Sequence, residues 1–168
     1  MNVLLWPNLY DWLVKSVPGV RVIQRDQDGR LPDRPFIAAK VIAETREGHP
    51  QVGELRDDGN VLIQQGSLFT VSVHTFGPEA YGIIHDVVNG LNRITIQDFL
   101  RSRGMCYVRV LAGPTDLAAI AGTGFEGRAH LDVQMRANVA ILDDVGIIER
   151  VELTGTVDSF TFTKTIGV

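Results

Sequence analysis

The 168-residue sequence predicts an α+β fold: a mostly antiparallel β-sheet with helices packed on one face, plus an extended C-terminal arm or hairpin. Three observations lead there. Residues 129–141 place Ala129, Leu131, Val133, Met135, Ala137, Val139 and Ile141 at every second position, with polar residues between them up to Asn138, which is the two-residue period of a half-buried strand. Residues 79–91 instead place Ala80, Ile84, Val87, Val88 and Leu91 on one helical face. Runs rich in β-branched and aromatic residues cover 61–76 and 105–111, and each is followed by a Gly-Pro pair. A chain of this length buries roughly 70% of its extended surface, so residues 1–146 are expected as a single domain and 147–168 as the arm.

Each element has its own local signal. Leu9, Trp12, Leu13 and Val17 recur at helical spacing behind Pro7, whose missing N–H is harmless in a first helical turn. Pro18-Gly19 stops that helix. A short extended piece at 20–24 precedes a loop over 25–35, where Asp-Gln-Asp-Gly and two prolines gather. Phe36, Ile37, Val41 and Ile42 then mark a strand. Residues 45–60, with Gly48, Pro50, Gly53 and Gly59, form a polar insertion, expected as a loop or a long hairpin tip. Phe69, Val71 and Val73 alternate with Thr70, Ser72 and His74 in the next strand, and Glu79 complements the start of the helix that follows. Thr95 with Asp98 approximates a capping box for a second helix, and Gly104 supplies its stop. A strand from Met105 ends near Gly113-Pro114. The alternating run at 129–141 would be roughly 40 Å long, more than a small sheet needs, so it is expected to overhang the core. Asp143-Asp144-Val145-Gly146 reads as a turn before two more extended segments, 147–156 and 159–166.

Composition narrows the function. A net charge of −4, from 16 basic and 20 acidic residues, lacks the cationic excess that phosphate neutralisation requires, which argues against sequence-specific DNA binding. The single cysteine, Cys106, forms no internal disulfide, and within its strand it is expected as a small buried hydrophobe. No CxxC is present, and His49, His74, His85 and His130 are too dispersed for local metal-ligand spacing, so neither metal nor cofactor is expected. Gly122-Thr-Gly124-Phe-Glu-Gly127 matches GxGxxG, but it opens a strand where a dinucleotide site needs it to open a helix. Asp57-Asp58 and Asp143-Asp144 are expected as solvated turn residues. The apolar stretch 3–17 is broken by Pro7, Asn8, Asp11 and Lys15, unlike an export signal, and no window is apolar enough to span a bilayer. The pattern favours assembly over catalysis.

The stretch Gly124-Phe125-Glu126-Gly127-Arg128-Ala129-His130-Leu131-Asp132-Val133-Gln134-Met135-Arg136 resembles the FE-x-RA-x-LDV-x-[FM]-R run of the neck or tail terminator proteins of contractile-tailed phages. Upstream, Phe69-Thr-Val-Ser-Val-His-Thr-Phe-Gly-Pro-Glu-Ala resembles the strand of that family that leads through Gly-Pro into a helix. Downstream, Asp143-Asp144-Val145-Gly146-Ile147-Ile148-Glu149 and Val151-Glu152-Leu153-Thr154-Gly155-Thr156 resemble its closing segment. The likeness covers about residues 1–157, is strongest over 69–156, and departs from the pattern at 45–60.

The resemblance implies a virion structural protein, not an enzyme, at the tail–neck junction. It would form a ring, usually a hexamer, that caps the head-proximal end of the tail tube, terminates tail polymerisation and joins tail to neck. Its partners would be copies of itself, the tail tube and sheath proteins and the head–tail connector proteins, with genomic DNA passing through and no membrane involved. Subunit-interface candidates are Arg128 and Arg136 on the long strand and Ile148, Val151, Leu153, Phe160 and Phe162 in the arm. Glu47, Glu54, Asp57 and Asp58 are lumen-loop candidates, since their acidity would keep passing phosphates from sticking. Two alternatives stay open: an adaptor on the portal side, and a small enzyme whose site forms on folding around His74, His85 and Asp132.

Overall fold

In a computed structural model of the chain, residues 5–121, 124–146, 150–157 and 160–167 are described. Helix α1 (Leu5–Ser16) leads into strand β1 (Arg21–Gln24), then β2 (Phe36–Leu55) and β3 (Asn60–Phe76). Helices α2 (Ala80–Leu91) and α3 (Ile94–Ser102) follow, and then β4 (Met105–Asp116), the short hairpin β5 (Ala119–Ala121) and β6 (Gly124–Glu126), and the long β7 (Arg128–Asp144). The last elements are β8 (Arg150–Val157) and β9 (Phe160–Gly167). The class is α+β, as the sequence predicts, with a five-stranded sheet in the order β1-β2-β3-β7-β4. β1 pairs with β2 in parallel, while β7 pairs with β4 antiparallel.

The chain divides into two compact units, Met1–His49 with Gln65–Val139, and Pro50–Gln64 with Ala140–Val168. The first holds the core. Its three helices bury Leu9, Trp12, Leu13, Ile84, Val87 and Leu100 against the sheet residues Phe69, Val71, Val73, Leu131, Val133 and Met135, each exposed by 2% or less. All six sheet residues belong to one alternating face, so the periodicity read at 129–141 reports the side that meets the helices. Gly90 lets α1 approach α2 closely, because a Cβ there would lie 2.8 Å from Ser16 Oγ. Gly90→Ala is therefore expected to destabilise by about 1–2 kcal/mol in urea unfolding, since Ser16 is itself buried and has little room to turn away.

In the second unit, Arg56 N–H donates to Asn60 O at 2.9 Å and Gly59 N–H to Arg56 O at 3.0 Å, closing the turn between β2 and β3. Gly59 O also accepts from Val145 N and Gly146 N, each at 3.1 Å, so residues 145–146, just after β7, are tied to it. β8 and β9 pair antiparallel, from Arg150 opposite Gly167 to Val157 opposite Phe160, as a two-stranded sheet of their own.

Three expectations need correcting, and one choice is decided. Of the two readings of the polar segment 45–60, the structure shows the long hairpin tip and not the loop: β2 continues through it to Leu55, and only residues 56–59 turn. Both faces of β2 are largely exposed there, so hydrophobic alternation, the usual sign of a strand, is missing. The second helix starts at Ile94 with Arg93 as its cap and no side-chain capping bond, so Thr95 and Asp98 lie inside the helix, where Asp98 pairs with Arg101 at 2.8 Å. β4 does not end at Gly113-Pro114 but passes them by register shifts to reach Asp116. It is an edge strand, where a proline without an N–H is tolerated. Cys106 is exposed on that edge strand, not buried.

Candidate functional site

The sheet face opposite the helices carries the other alternating set: Phe36, Ala38 and Lys40 on β2, Ser72, His74 and Phe76 on β3, and Arg128, His130, Asp132, Gln134 and Arg136 on β7. Ser72 and His74 are nevertheless 3% and 7% exposed, which marks a packed polar patch. His74 is its centre. Arg25 Nη1 donates to His74 Nε2 at 2.9 Å, and Arg128 Nη2 lies 3.3 Å from His74 Nδ1. Ser72 Oγ bridges the two histidines, 3.3 Å from His74 Nε2 and 3.2 Å from His130 Nε2, and the imidazole centroids are 4.6 Å apart. His130 Nε2 donates to Asp132 Oδ1 at 2.8 Å.

Backbone geometry holds Arg128 in place. Gly77 N–H donates to Gly127 O at 2.8 Å, bringing the end of β3 against the start of β7. Arg128 then spreads over Phe76 at 5.1 Å, and Phe76 stacks on Phe36 at 4.8 Å. Glu126 pairs with Arg34 at 2.6 Å. Beside this patch a cavity of 430 Å³ lies between the loop after β1 and the Phe36 and Phe76 rings, with Arg21, Arg25, Arg30 and Arg34 in its lining together with Asp26, Asp28 and Glu126.

The electrostatics follow from this crowding. Burial away from water, and then the charges of His130, Arg128 and Arg25, lower the His74 pKa from 6.5 to about 4, against a smaller opposing pull from Asp132. The unfolded chain binds a proton at this side chain near pH 6.5 while the folded chain refuses it until about 4. Stability present at neutral pH is therefore lost as pH falls from 6.5 towards 4, and the loss is complete below that. Screening by the surrounding polar groups and by water that reaches a protonated imidazole limits the loss to about 1–2 kcal/mol. Thermal melts of the wild type and His74→Gln across pH 7 to pH 4 check this, and the wild type should show the steeper decline.

A neutral imidazole offers one lone pair, so His74 can satisfy Arg25 or Arg128 but not both. Among the described residues Arg128 Nε is buried with no hydrogen-bond partner, and no carboxylate pairs with this guanidinium. The patch is therefore short of acceptors. It does not form a Ser-His-Asp relay, because Asp132 and Ser72 both face Nε2 of His130, whereas a relay needs the acid on one ring nitrogen and the hydroxyl on the other. His85, the third member of the enzyme alternative, stands apart on α2, edge-on to Tyr81 at 4.7 Å. Among the described residues no group of three or more His, Cys, Asp or Glu could hold a metal ion, and no helix is long and apolar enough to cross a membrane.

The sequence-derived site residues fall into four sets. Arg128 joins the His74 patch, which spacing alone did not reveal. Arg136 makes a bidentate pair with Glu47, at 2.7 and 3.1 Å, which raises its pKa through that hydrogen bond and charge. Glu54, Asp57 and Asp58 are exposed at the end of the β2–β3 hairpin. In the arm, Ile148 lies outside the described residues, as do the side chains of Val151, Leu153, Phe160 and Phe162, whose backbones belong to β8 and β9.

A family model described as phage neck terminator protein matches residues 4–160. The chain belongs to that family. A comparison with curated proteins returns no match. Membership in the neck terminator family makes this a phage structural protein of the tail and neck region, and a component of the virion. The motif that carried the resemblance now has a physical reading in this neck terminator protein. Glu126 anchors the loop through Arg34, Gly127 permits the backbone crossing, Ala129 to Met135 fill the core at alternate positions, and Arg128 and Arg136 act on the opposite face.

Proposed function

We propose that the protein forms a ring, a hexamer by family precedent, that caps the head-proximal end of the tail tube of a contractile-tailed phage, terminates tail polymerisation and gives the neck its docking surface. The observation that carries this reading is family membership over residues 4–160. The β8–β9 hairpin adds support: it is a two-stranded sheet of its own, and such a hairpin is only marginally stable in water unless something covers it or extends its edge. Neighbouring subunits, tube or sheath would do so by strand addition, which supplies main-chain affinity without a side-chain code. The arm, 147–168, is thus the assembly element, with Val151, Leu153, Phe160 and Phe162 as its apolar contacts. The acids Glu54, Asp57 and Asp58 would face passing DNA or a neighbouring subunit.

Electron microscopy of the protein alone and mixed with its tail tube tests the reading directly. Closed rings seated on tube ends, with tube length limited by added protein, are the expected result. Rings that bind tailless heads and ignore tubes would instead point to the portal-side adaptor. Deleting residues 157–168 removes β9 and should weaken ring formation about ten-fold or more in concentration, while the melting transition of the helix-covered core persists. A truncation that unfolds the whole chain would refute the arm as a peripheral element.

A further inference from the structure

Resting on the ring reading, we propose that the Arg25–His74–Arg128 face is a carboxylate-binding site, and that it receives the acidic tip of a second copy of this chain, made of Asp57-Asp58 in the β2–β3 turn and Asp143-Asp144 at the end of β7. The receiving side is short of acceptors. Arg128 shares one imidazole with Arg25 and keeps a buried Nε without a partner, while Asp26, the acid nearest Arg25 at 3.6 Å, is engaged more closely by Lys40 at 2.6 Å. Arg21 and Arg30, in the lining of the adjoining cavity, have no carboxylate partner among the described residues. Guanidinium forks match carboxylates in bidentate geometry, and such pairs are strongest where water is partly excluded. Of the acids in the same lining, Asp26 is paired with Lys40 and Glu126 with Arg34, so the lining keeps an excess of arginine over carboxylate.

The donating side is preorganised. Gly59 O holds the β2–β3 turn to the residues that follow β7 by accepting from Val145 N and Gly146 N. Asp58 Oδ1 accepts from Asn60 N at 3.0 Å and Asp144 Oδ1 from Gly146 N at 3.2 Å, so each aspartate braces the backbone two residues on. Asp57 and Asp143 are exposed and have no ion-pair or side-chain hydrogen-bond partner among the described residues, which leaves two carboxylates on this tip beside a single base, Arg56, within residues 56–59 and 143–146. Leu55 and Val145, more than half exposed, add apolar area beside them. A closed ring uses two different patches on every subunit, and these two differ in sign.

The test is a charge swap. Arg25→Glu/Arg128→Glu reverses the face and Asp57→Lys/Asp143→Lys reverses the tip, with folding checked by circular dichroism melts and assembly read by light scattering over a concentration series. Each variant alone should need about ten-fold or more higher concentration to assemble. An equimolar mixture should recover wild-type assembly, because alternating subunits then meet with opposite charges at every interface. Arg25→Glu/Arg30→Glu replaces the face variant if Arg128→Glu fails to fold. Variants that assemble like the wild type, or a mixture of folded variants that recovers nothing, would overturn this contact and leave the ring standing. A wild type that stays monomeric, with and without tail tubes, would overturn the ring and the contact together. Retention of duplex DNA by the wild type but not by the face variant would reassign the arginines to phosphate.

Discussion

Trp12→Ala will cost about 3–5 kcal/mol of stability, enough to lower the melting temperature of a chain this size by about 10 °C or more. The reasoning starts with Pro7, which sets α1 going, and with the spacing that turns Leu5, Leu9, Trp12, Leu13 and Ser16 to one side. Trp12 is fully buried, and α1 packs on α2, α3 and β1, so a hole left inside this close-packed interior is filled only by moving whole elements. Trp12→Phe should behave differently. The indole Nε1 is buried without a hydrogen-bond partner, and phenylalanine removes that unsatisfied donor while keeping most of the ring. The Phe variant should lose no more than about 1.5 kcal/mol. Urea denaturation of both variants decides the point, and equal losses would mean that Nε1 is satisfied after all.

How much of this fold could be read from the sequence depended on whether an element has one wet face. β7 was legible because Leu131, Val133 and Met135 meet the helices while His130, Asp132 and Gln134 do not, so burial imprints a two-residue period. α1 and α2 were legible for the same reason at helical spacing. The outer half of β2 was hidden because both faces are exposed, leaving no period to find among residues 45–55. Exposure also defeated the reading of Cys106: a strand position implied burial, but β4 is the sheet edge. The His74 patch was invisible as a site because its members come from different strands, with Ser72 and His130 58 residues apart. A signal was present nonetheless. Ser72 and His74 on β3, like His130 and Asp132 on β7, occupy alternate positions opposite buried apolar residues, and two such polar pairs on adjacent strands mark a polar face on the side away from the helices.

The two described glycines of the GxGxxG match should respond very differently to substitution, and the difference separates a backbone crossing from a nucleotide loop. A Cβ on Gly127 would stand 2.5 Å from Gly77 O and 3.4 Å from Gly77 C, so it would strike main chain with no side chain able to swing away. Gly77 cannot retreat easily, because its own φ of +102° and its closeness to Arg34 and Pro35 already fix it. Gly127→Ala should therefore break the Gly77–Gly127 hydrogen bond, shift Glu126 and Arg128 together, and cost about 2–4 kcal/mol. Gly124, by contrast, has open space where its Cβ would be, so Gly124→Ala should stay within about 0.5 kcal/mol of the wild type. Because Arg128 would leave its place between Phe76 and His74, Gly127→Ala should also raise the concentration needed for assembly beyond what its lower stability accounts for. Chemical denaturation together with light scattering at a temperature well below melting measures both effects. If Gly127→Ala kept wild-type stability, the crossing of β3 and β7 would not be the constraint that sets this segment of the motif.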